Sequence, residues 1–406
     1  MSLTYLVTGG AGFIGSHTAE ALLRRGDSVL VVDEMNDYYS LRQKQHNLDK
    51  LAAAASHCNS VFKFYQGSCE DEAFMAIIFE TEHIDRVCHL AARAGVRPSI
   101  KNPHLYIQAN VTATVTLLEL ARLHSITNFV YASSSSVYGS STKVPFAESD
   151  ATDCPVSPYA ATKKSCELMA ATYNHLYALP TIGLRFFTVY GPRGRPDMAP
   201  FLFVDHISRG LPINKFGNGT SCRDYTYISD IVSGILASLD SPRKDAAIFN
   251  LGNSTTVSLE EFISVIESTV GEKAIINQLP EQPGDVPRTF ADLTLSSREL
   301  GYKPTTDIRT GMRLFVDWYR SEYPTLDMGL EYSPSQISIE VSSPSAPAYT
   351  QISSESPVTI NAASLRPRSS LHSLSKVSTS CNILQSPSPP PSECLVSEYA
   401  MSASEE

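Results

Sequence analysis

The chain has no long uninterrupted apolar run and few basic residues. None of its 406 residues lies in the roughly 18-residue apolar stretch that a membrane-spanning helix requires, so we expect no membrane partner. Lys and Arg number 32 against 42 Asp and Glu, which gives a net charge of −10. This balance argues against nucleic acid and anionic membranes as general partners, yet an anionic small substrate needs only local arginines.

The eight cysteines are scattered without CxxC spacing, a pattern typical of reduced cytoplasmic thiols and not of a disulfide scaffold or a zinc site. His17, His89 and Cys154 have no partner at metal-ligand spacing, so we expect no metal and interpret them as core or surface residues. Residues 1–4 run straight into the first predicted strand, so we expect no signal peptide.

What the sequence does contain is a glycine-rich stretch, Thr8–Gly15, with the sequence TGGAGFIG. It joins an apolar run at Leu3–Val7 to a helical pattern at Ser16–Leu23. Without side chains, Gly9 and Gly12 let the backbone approach a pyrophosphate, toward which the unpaired N–H groups of a helix start point. The spacing is GxxGxxG and not the common GxGxxG, so a plain tight turn is the alternative interpretation.

Asp33 follows a second apolar stretch, Val29–Val32, and strengthens the dinucleotide interpretation. An acid about 20 residues beyond the glycines can accept hydrogen bonds from the ribose hydroxyls of adenosine. The same carboxylate would repel a 2′-phosphate. The sequence therefore favours NAD over NADP.

Strand and helix patterns alternate through the first half of the chain. Further strands are predicted at Val61–Tyr65, Arg86–Leu90, Asn128–Ser133 and Thr181–Phe186, and helices at Asp71–His83, Leu105–His124 and Tyr159–Leu176. Such alternation implies right-handed crossovers and a parallel sheet. We therefore predict an α/β fold with a doubly wound Rossmann sheet.

The regular alternation ends near Gly191, which suggests three regions. We predict an NAD-binding domain at 1–190 and a smaller substrate-binding lobe at 191–332, with helices at Ser258–Val270 and Asp307–Tyr323 and with chain segments able to cross between the two. Residues 333–406 are rich in Ser and Pro and have no sustained apolar period, so we predict a disordered tail. The tail is either a phosphorylated regulatory segment or a passive extension.

Tyr159 and Lys163 form a YxxxK pair on one face of a predicted helix. A nearby ammonium favours the ionised form of a phenol, as a general base requires. Ser134, at the end of the fifth strand, can donate a hydrogen bond to a substrate oxygen and hold it against the tyrosine. Taken singly, the YxxxK pair could be part of a solvated helix face, and the serines could form a Ser-rich turn. Their position within a Rossmann pattern favours a catalytic role.

Four motifs in order, TGGAGFIG, HLAA at His89–Ala92, SSSSVYG at Ser133–Gly139 and YAATK at Tyr159–Lys163, resemble the extended short-chain dehydrogenases/reductases of the NAD-dependent nucleotide-sugar epimerase/dehydratase family. Arg223–Ile228 and Gln282–Asp285 extend the resemblance, which reaches about residue 325 and omits only the tail. The resemblance implies NAD as cofactor and a UDP-sugar substrate. It also implies a homodimer formed through the predicted helices Leu105–His124 and Tyr159–Leu176.

Site residues follow from the resemblance, residue by residue. The catalytic set is Ser134, Tyr159 and Lys163. The implied NAD contacts are Gly9, Gly12, Phe13, Ile14, Gly15, Asp33, Ser68, Cys69, Leu90, Ala91, Ala92, Asn110, Tyr159, Lys163 and Phe187. The implied substrate contacts are Ser134, Ser136, Thr188, Arg195, Asp197, Arg223, Tyr225 and Asp285.

Three arginines are candidates for the sugar end of the substrate. Arg195 or Arg193 is expected to pair with a uronate carboxylate, which a guanidinium fork matches bidentately, and Arg185 is a competitor. Arg223 is expected to meet the UDP diphosphate; a surface ion pair with Asp224 is the alternative.

The residues before Val137-Tyr-Gly139 select the reaction within the family. Relatives that eliminate water carry an Asp-Glu pair where Ser135 and Ser136 stand, and UDP-glucuronate decarboxylases carry a glutamate at the second position. Without these acids an epimerase is favoured, and Ala94–Arg97, Asn36–Tyr39 and Gly191–Met198 are most similar to UDP-glucuronate 4-epimerases. The implied activity interconverts UDP-glucuronate and UDP-galacturonate through a 4-keto sugar, with transient hydride transfer to bound NAD. The alternatives are a UDP-glucose/UDP-galactose 4-epimerase, a UDP-glucuronate decarboxylase, and a non-enzymatic NAD-binding sensor or scaffold.

Some positions depart from the family pattern. Ser68 stands where an aspartate usually contacts adenine, which predicts weaker NAD binding. Arg93 replaces a usual glutamine, Pro98 a tyrosine, and Gln282 an arginine. These changes bear more on the identity of the sugar substrate than on the type of reaction.

Overall fold

The computed structural model describes residues 2–281 and 288–327, with only the backbone described for 324–327. Asp285 and the predicted tail at 333–406 lie outside the described residues. The strands are β1 (Thr4–Thr8), β2 (Ser28–Asp33), β3 (Phe62–Gln66), β4 (Arg86–His89), β5 (Asn128–Ser134), β6 (Thr181–Phe186), β7 (Thr188–Tyr190), β8 (Pro212–Phe216), β9 (Cys222–Tyr227), β10 (Ala246–Leu251), β11 (Thr256–Ser258) and β12 (Ile275–Leu279). The α-helices are α1 (Phe13–Arg25), α2 (Leu41–Cys58), α3 (Glu72–Thr81), α4 (Val96–Lys101), α5 (Pro103–Tyr106), α6 (Ala113–Leu123), α7 (Pro158–Tyr177), α8 (Ala199–Ser208), α9 (Ile228–Leu239), α10 (Leu259–Val270), α11 (Thr294–Leu300) and α12 (Ile308–Asp327).

Seven parallel strands form the central sheet, in the order β10-β6-β5-β4-β1-β2-β3. On β1, Val7 lies beside Val31 of β2 on one side and Cys88 of β4 on the other. The strand order reverses between β1 and β4, which opens a crevice at the carboxyl ends of these strands. The predicted doubly wound Rossmann fold is confirmed.

Strand β1 is apolar on both faces because helices cover both sides of the sheet. Tyr5 and Val7 point to one side, where they join the core beneath α1 and α9. Leu6 points to the other side, into the core beneath α3 and α6. All three side chains are fully buried, so this strand and the glycine turn that follows it are held rigidly.

The helices differ from the predicted pattern in several places, and α8, α9 and α11 are among those that were not predicted. α1 begins at Phe13, three residues before the predicted start, and ends at Gly26, whose φ of 94° suits glycine. α2 was not predicted. The helix predicted at Leu105–His124 is present as one continuous helical run from Pro103 to Leu123, in which a π-helical segment at Ile107–Thr112 joins α5 to α6.

A second core lies in the later part of the chain. Aromatic side chains dominate it, including Phe201, Tyr225, Phe262 and Phe315, between α8, α10 and α12. Two small sheets, β11-β9-β7 and β12-β8, accompany it. β10 returns from this region to the edge of the central sheet beside β6, so chain segments do cross between the layers. The boundary at residue 190 stays a prediction. No helix in the described part of the chain is long and apolar enough to cross a membrane.

Candidate active site

The glycine turn between β1 and α1 forms one wall of a cleft. Gly12 is the N-cap of α1, and no side chain caps this helix end. A Cβ on Gly15 would lie 2.1 Å from the carbonyl oxygen of Gly9, and one on Gly9, where φ is 68°, would lie 2.8 Å from the backbone of Ala91. Larger residues therefore do not fit, and the open helix N terminus suits an anionic pyrophosphate.

The cleft has a volume of about 440 Å³ and brings most of the predicted site residues together. The predicted residues that line it are Gly9, Gly12, Phe13, Ile14, Gly15, Asp33, Ser68, Cys69, Leu90, Ala91, Ala92, Ser134, Ser136, Tyr159, Lys163, Phe187, Thr188 and Arg195. One continuous cavity thus joins the glycine turn to the YxxxK pair.

At one end of the cleft, Asp33 is buried and engaged from several sides. Its carboxylate accepts the backbone N–H groups of Ala11 (3.2 Å) and Met35 (2.9 Å), and Lys44 Nζ lies 3.9 Å away. Burial raises the pKa of Asp33, and the Lys44 ammonium opposes that shift. Burial likewise lowers the pKa of Lys44, with Asp33 opposing. A buried carboxylate at this place can accept hydrogen bonds from a ribose diol, and Lys44 is a lining residue that the sequence reasoning missed.

Ser68 and Cys69 line the same end of the cleft, beyond β3. Cys69 is buried, and burial raises the pKa of its thiol to about 12, so the thiol stays protonated. A protonated thiol is a weak hydrogen-bonding group, and the serine hydroxyl is uncharged. The side chains at 68 and 69 thus offer no carboxylate at this end of the cleft.

The YxxxK pair sits at the other end, on the first turns of α7. Ser157 caps this helix by accepting the N–H of Ala160 (3.1 Å), which fixes where the helix begins. Tyr159 follows two residues later, and its N–H donates to Ser99 Oγ (3.1 Å). Lys163 is buried one turn further on and donates to the carbonyl of Ala132 on β5 (2.8 Å). This bond ties the helix to the strand that carries Ser134.

A buried ion pair supports that strand from behind. Arg185 donates from two nitrogens to Glu167 (2.8 and 2.9 Å), and Ser133 Oγ donates to the same carboxylate (2.7 Å). Despite burial, these donors hold the pKa of Glu167 below its usual range. Arg185 does not line the cleft, so its role as competitor for a substrate carboxylate is not supported.

The loop after β7 separates the other two arginines. Arg193, in a left-handed conformation with φ of 62°, turns away from the cleft and contacts His17 and Glu20 (2.7 Å). Arg195 faces the cleft and forms a two-pronged ion pair with Asp197 (3.0 and 2.6 Å). Of the two arginines expected to meet a uronate carboxylate, geometry therefore favours Arg195. Burial, and then Arg193, lower the pKa of His17 to about 3, so its ring is neutral.

Four predicted contacts among the described residues do not line the cleft: Asp197, which pairs with Arg195, and also Asn110, Arg223 and Tyr225. Asn110, on the π-helical segment, pairs through its amide with both backbone groups of Arg93 (2.8 and 3.1 Å), so it braces the cleft wall. Tyr225 is buried and stacks on Phe262 with ring centres 4.2 Å apart. Arg223 donates to the carbonyl of Cys222 (3.0 Å).

The alternative interpretation of Arg223 as the surface partner of Asp224 is wrong. Asp224 is fully buried, and its carboxylate accepts the N–H groups of Asn253 (2.7 Å), Ser254 (3.0 Å) and Ala291 (3.1 Å). Burial raises the pKa of this carboxyl to about 6. Asp224 thus anchors two backbone segments, at 253–254 and at 291, and does not pair with the guanidinium of Arg223.

A Rossmann sheet whose cleft contains both a glycine turn and a Ser–Tyr–Lys set defines an extended short-chain dehydrogenase/reductase. The chain belongs to the GDP-mannose 4,6 dehydratase family of NAD-dependent epimerases and dehydratases, whose model matches residues 6–315. This places the match across both cores described above.

Individual relatives narrow the comparison. UDP-glucuronate 4-epimerase 4 of Arabidopsis thaliana is 45% identical over 339 residues, which are 79% of this chain and 76% of that protein. The crystal structure of UDP-glucuronic acid 4-epimerase from Bacillus cereus with UDP-glucuronic acid and NAD is 33% identical, with a TM-score of 0.73, over 78% of this chain and 99% of that one. UDP-glucose 4-epimerase from Thermotoga maritima, crystallised with UDP-glucose, is 31% identical with a TM-score of 0.71 over the same shares.

Proposed function

We propose that this chain is an NAD-dependent nucleotide-sugar 4-epimerase that interconverts UDP-glucuronate and UDP-galacturonate. The observation that carries the proposal is that one cleft contains both the glycine turn and the side chains of Ser134, Tyr159 and Lys163. In the same cleft, Ser135 and Ser136 stand at the two positions where an acidic pair would favour elimination of water or decarboxylation. UDP-glucuronate 4-epimerases among its relatives support the choice of sugar.

The cofactor fits the cleft on two observations. The glycines leave a cradle that any Cβ would fill, and Asp33, with Lys44 3.9 Å away, provides a buried carboxylate for ribose hydroxyls. When bound, NAD supplies reversible hydride acceptance at carbon 4 of the sugar. We assign the cofactor side of the cleft to the lining residues from Gly9 to Ala92 given above, with Lys163 and Phe187. Asn110 acts indirectly, through Arg93.

The side chains at the sugar end perform the proton chemistry and hold the substrate. Tyr159 takes the proton of the 4-hydroxyl as the 4-keto sugar forms, and returns it when the alcohol is restored. Ser134 donates a hydrogen bond to the same oxygen and fixes its distance from the phenol. Lys163, held by the carbonyl of Ala132, keeps a positive charge beside the tyrosine. Because the same tyrosine takes and returns the proton, no net proton is lost in a cycle.

The substrate contacts are assigned from the cleft outward. Ser136, Thr188 and Arg195 line the sugar end, and Arg195 is the group we assign to the uronate carboxylate. Asp197 holds the Arg195 guanidinium in place. Arg223, Tyr225 and Asp285 remain proposed contacts of the UDP part on the strength of the family resemblance.

The direct test is to incubate the purified protein with UDP-glucuronate, without added cofactor, and to separate the products by chromatography. UDP-galacturonate is expected, because NAD is regenerated in each cycle and stays bound. UDP-xylose would show a decarboxylase. Turnover of UDP-glucose with none of the uronate would favour the neutral-sugar epimerase, an activity named for one structural neighbour. If Tyr159→Phe left the cellular role intact, a sensor or scaffold would replace the enzyme.

We further propose a cytoplasmic homodimer. Exposed apolar side chains lie on α6 and α7, at Leu123, Leu168 and Leu176, each more than half exposed. A face of this kind on two adjacent helices is suited to burial against a second copy. Light scattering should give twice the chain mass, and Leu168→Lys should lower it to the chain mass. Fractionation of cells that express the protein tests the location.

A further inference from the structure

Three loops that follow different strands of the fold meet at the ring of Tyr38. Tyr38 itself lies in the loop after β2, Arg93 in the loop after β4, and Arg195 in the loop after β7. The guanidinium carbons lie 5.6 Å (Arg93) and 5.3 Å (Arg195) from the centre of the Tyr38 ring. Both distances are within the range of attractive cation–π contacts, so one ring holds two cationic side chains that come from two different loops of the cleft.

Each of these cations has its own acid. Arg93 pairs with Glu34 (3.1 Å), and Arg195 pairs with Asp197 (2.6 Å). The repulsion expected between two guanidinium groups on one ring is therefore neutralised locally. The result is a continuous chain, Glu34–Arg93–Tyr38–Arg195–Asp197, which we call the cleft latch.

The Tyr38 hydroxyl adds a backbone anchor near the reacting end. It donates to the carbonyl of Ala94 (3.0 Å), which also accepts the Tyr106 hydroxyl (2.9 Å). The Tyr106 ring packs edge-on against the Tyr159 ring, with centres 6.2 Å apart. The loop of Arg93 and Ala94 is thus fixed both to the latch and to the wall beside the proposed base.

Arg93 supplies the positive charge on the cofactor side of the latch, through its ion pair with Glu34 and its place over the Tyr38 ring. Glutamine carries no charge and can neither pair with Glu34 as an ion nor sit over a ring as a cation. Among the described residues the buried Nε of Arg93 has no hydrogen-bond partner, so the ion pair of an outer nitrogen with Glu34 and the Tyr38 ring hold this side chain in place.

We propose that Tyr38 is a positioning residue that serves both ends of the cleft. Through Arg93 it holds the loop after β4 closed over the cofactor, and through Arg195 it holds the cation that meets the acidic sugar. The second role rests on the proposed function, whereas the first needs only a bound dinucleotide. Slow cofactor release would offset the missing carboxylate at Ser68.

The test compares Tyr38→Leu and Arg93→Gln with the unchanged protein in two measurements. The protein is loaded with isotopically labelled NAD, chased with excess unlabelled NAD, and followed by mass spectrometry. The KM is then measured for UDP-glucuronate and for UDP-glucose. Tyr38→Leu should release NAD about tenfold faster and raise the KM for the uronate severalfold more than for the neutral sugar. Arg93→Gln should speed NAD release alone.

Arg243→Gln is the matched control. Arg243 also lies over an aromatic ring (Phe249, 5.9 Å) and pairs with two acids, Asp245 and Glu299, but it is outside the cleft. It should change neither measurement. Tyr38→Phe keeps the ring and loses the hydroxyl; it should release NAD more slowly than Tyr38→Leu, and it carries the test if the leucine variant does not fold.

Unchanged NAD release in Tyr38→Leu and Arg93→Gln would overturn the cofactor role, and an unchanged KM ratio in Tyr38→Leu would overturn the substrate role. If the unchanged protein turned over no UDP-sugar, the proposed function would fail, but NAD release would still decide the cofactor role. Calorimetric titration with UDP-glucuronate would then decide the substrate role, because the Tyr38→Leu variant should bind UDP-glucuronate more weakly than the unchanged protein does.

Discussion

The ion pair of Glu167 and Arg185 supports the strand that carries Ser133 and Ser134, and Glu167→Gln tests how much. Both side chains are almost fully buried, at 4% and 3% exposure. Glutamine preserves shape and one acceptor oxygen, but it leaves the Arg185 guanidinium buried without a counter-charge. Breaking a buried pair from one side costs about 3–5 kcal/mol. Because the amide keeps one acceptor, we expect about 3 kcal/mol.

The assay is thermal unfolding at pH 7 with saturating NAD. For a described region of about 320 residues, with an unfolding entropy of about 2.1 cal/mol/K per residue, about 3 kcal/mol lowers the melting temperature by roughly 4–5 °C. Two further variants serve as controls for Glu167→Gln. Ser133→Ala removes a single hydrogen bond to the same carboxylate and should cost about 1 kcal/mol. Glu167→Gln combined with Arg185→Met removes both charges and should recover most of the loss.

The effect should also depend on pH. The pKa of Glu167 is depressed in the fold, so its ionised form contributes stability above the ordinary glutamate pKa, and this contribution fades as pH falls through the folded pKa. The difference between the two proteins should therefore be full at pH 7 and shrink in acid. A difference below about 1 kcal/mol at pH 7, or one that grows in acid, would refute the reasoning.

Three further predictions concern the cleft. Tyr159→Phe should lower kcat for epimerisation by about 10²–10⁴-fold while bound NAD, measured by its absorbance after denaturation, is retained; equal loss of both would mean a structural role. Gly15→Ala should abolish NAD binding in calorimetry, because its Cβ would lie 2.1 Å from the Gly9 carbonyl oxygen; near-normal affinity would show that the turn yields. Asp33→Asn should narrow the preference for NAD over NADP by at least about tenfold, since the charge that repels a 2′-phosphate is gone; an unchanged ratio of dissociation constants would assign that preference elsewhere.

Short sequence motifs predicted those site residues whose position depends only on neighbouring residues in the chain. The glycine turn, Asp33 at the end of β2, and Tyr159 with Lys163 are each set by a short stretch next to a strand end, where alternation and spacing are informative. Topology then places them in one crevice, since parallel strands bring their carboxyl ends to one edge.

The parts that long-range packing sets could not be predicted in this way. Lys44 lies on α2, a helix that was not anticipated, and its approach to Asp33 is a tertiary contact. The π-helical segment places Asn110 where its side chain accepts the N–H of Arg93. The hydrophobic periodicity of the sequence carries no signal for such a contact. Arg193 and Arg195 are two residues apart, and only the left-handed backbone at Arg193 decides which one faces the cleft.

The return of β10 to the central sheet has a consequence for how the protein can be cut or recombined. All six residues of β6 are buried, and β10 pairs along its entire length. A fragment ending near residue 190 would leave β6 as a bare edge strand, open to pairing with other chains. We therefore expect such a fragment to aggregate. A chimera in which the segment after residue 190 is replaced should likewise need a strand equivalent to β10, because β6 would otherwise be unpaired on one side. The seven-stranded sheet is thus completed only once the chain has been synthesised as far as Leu251.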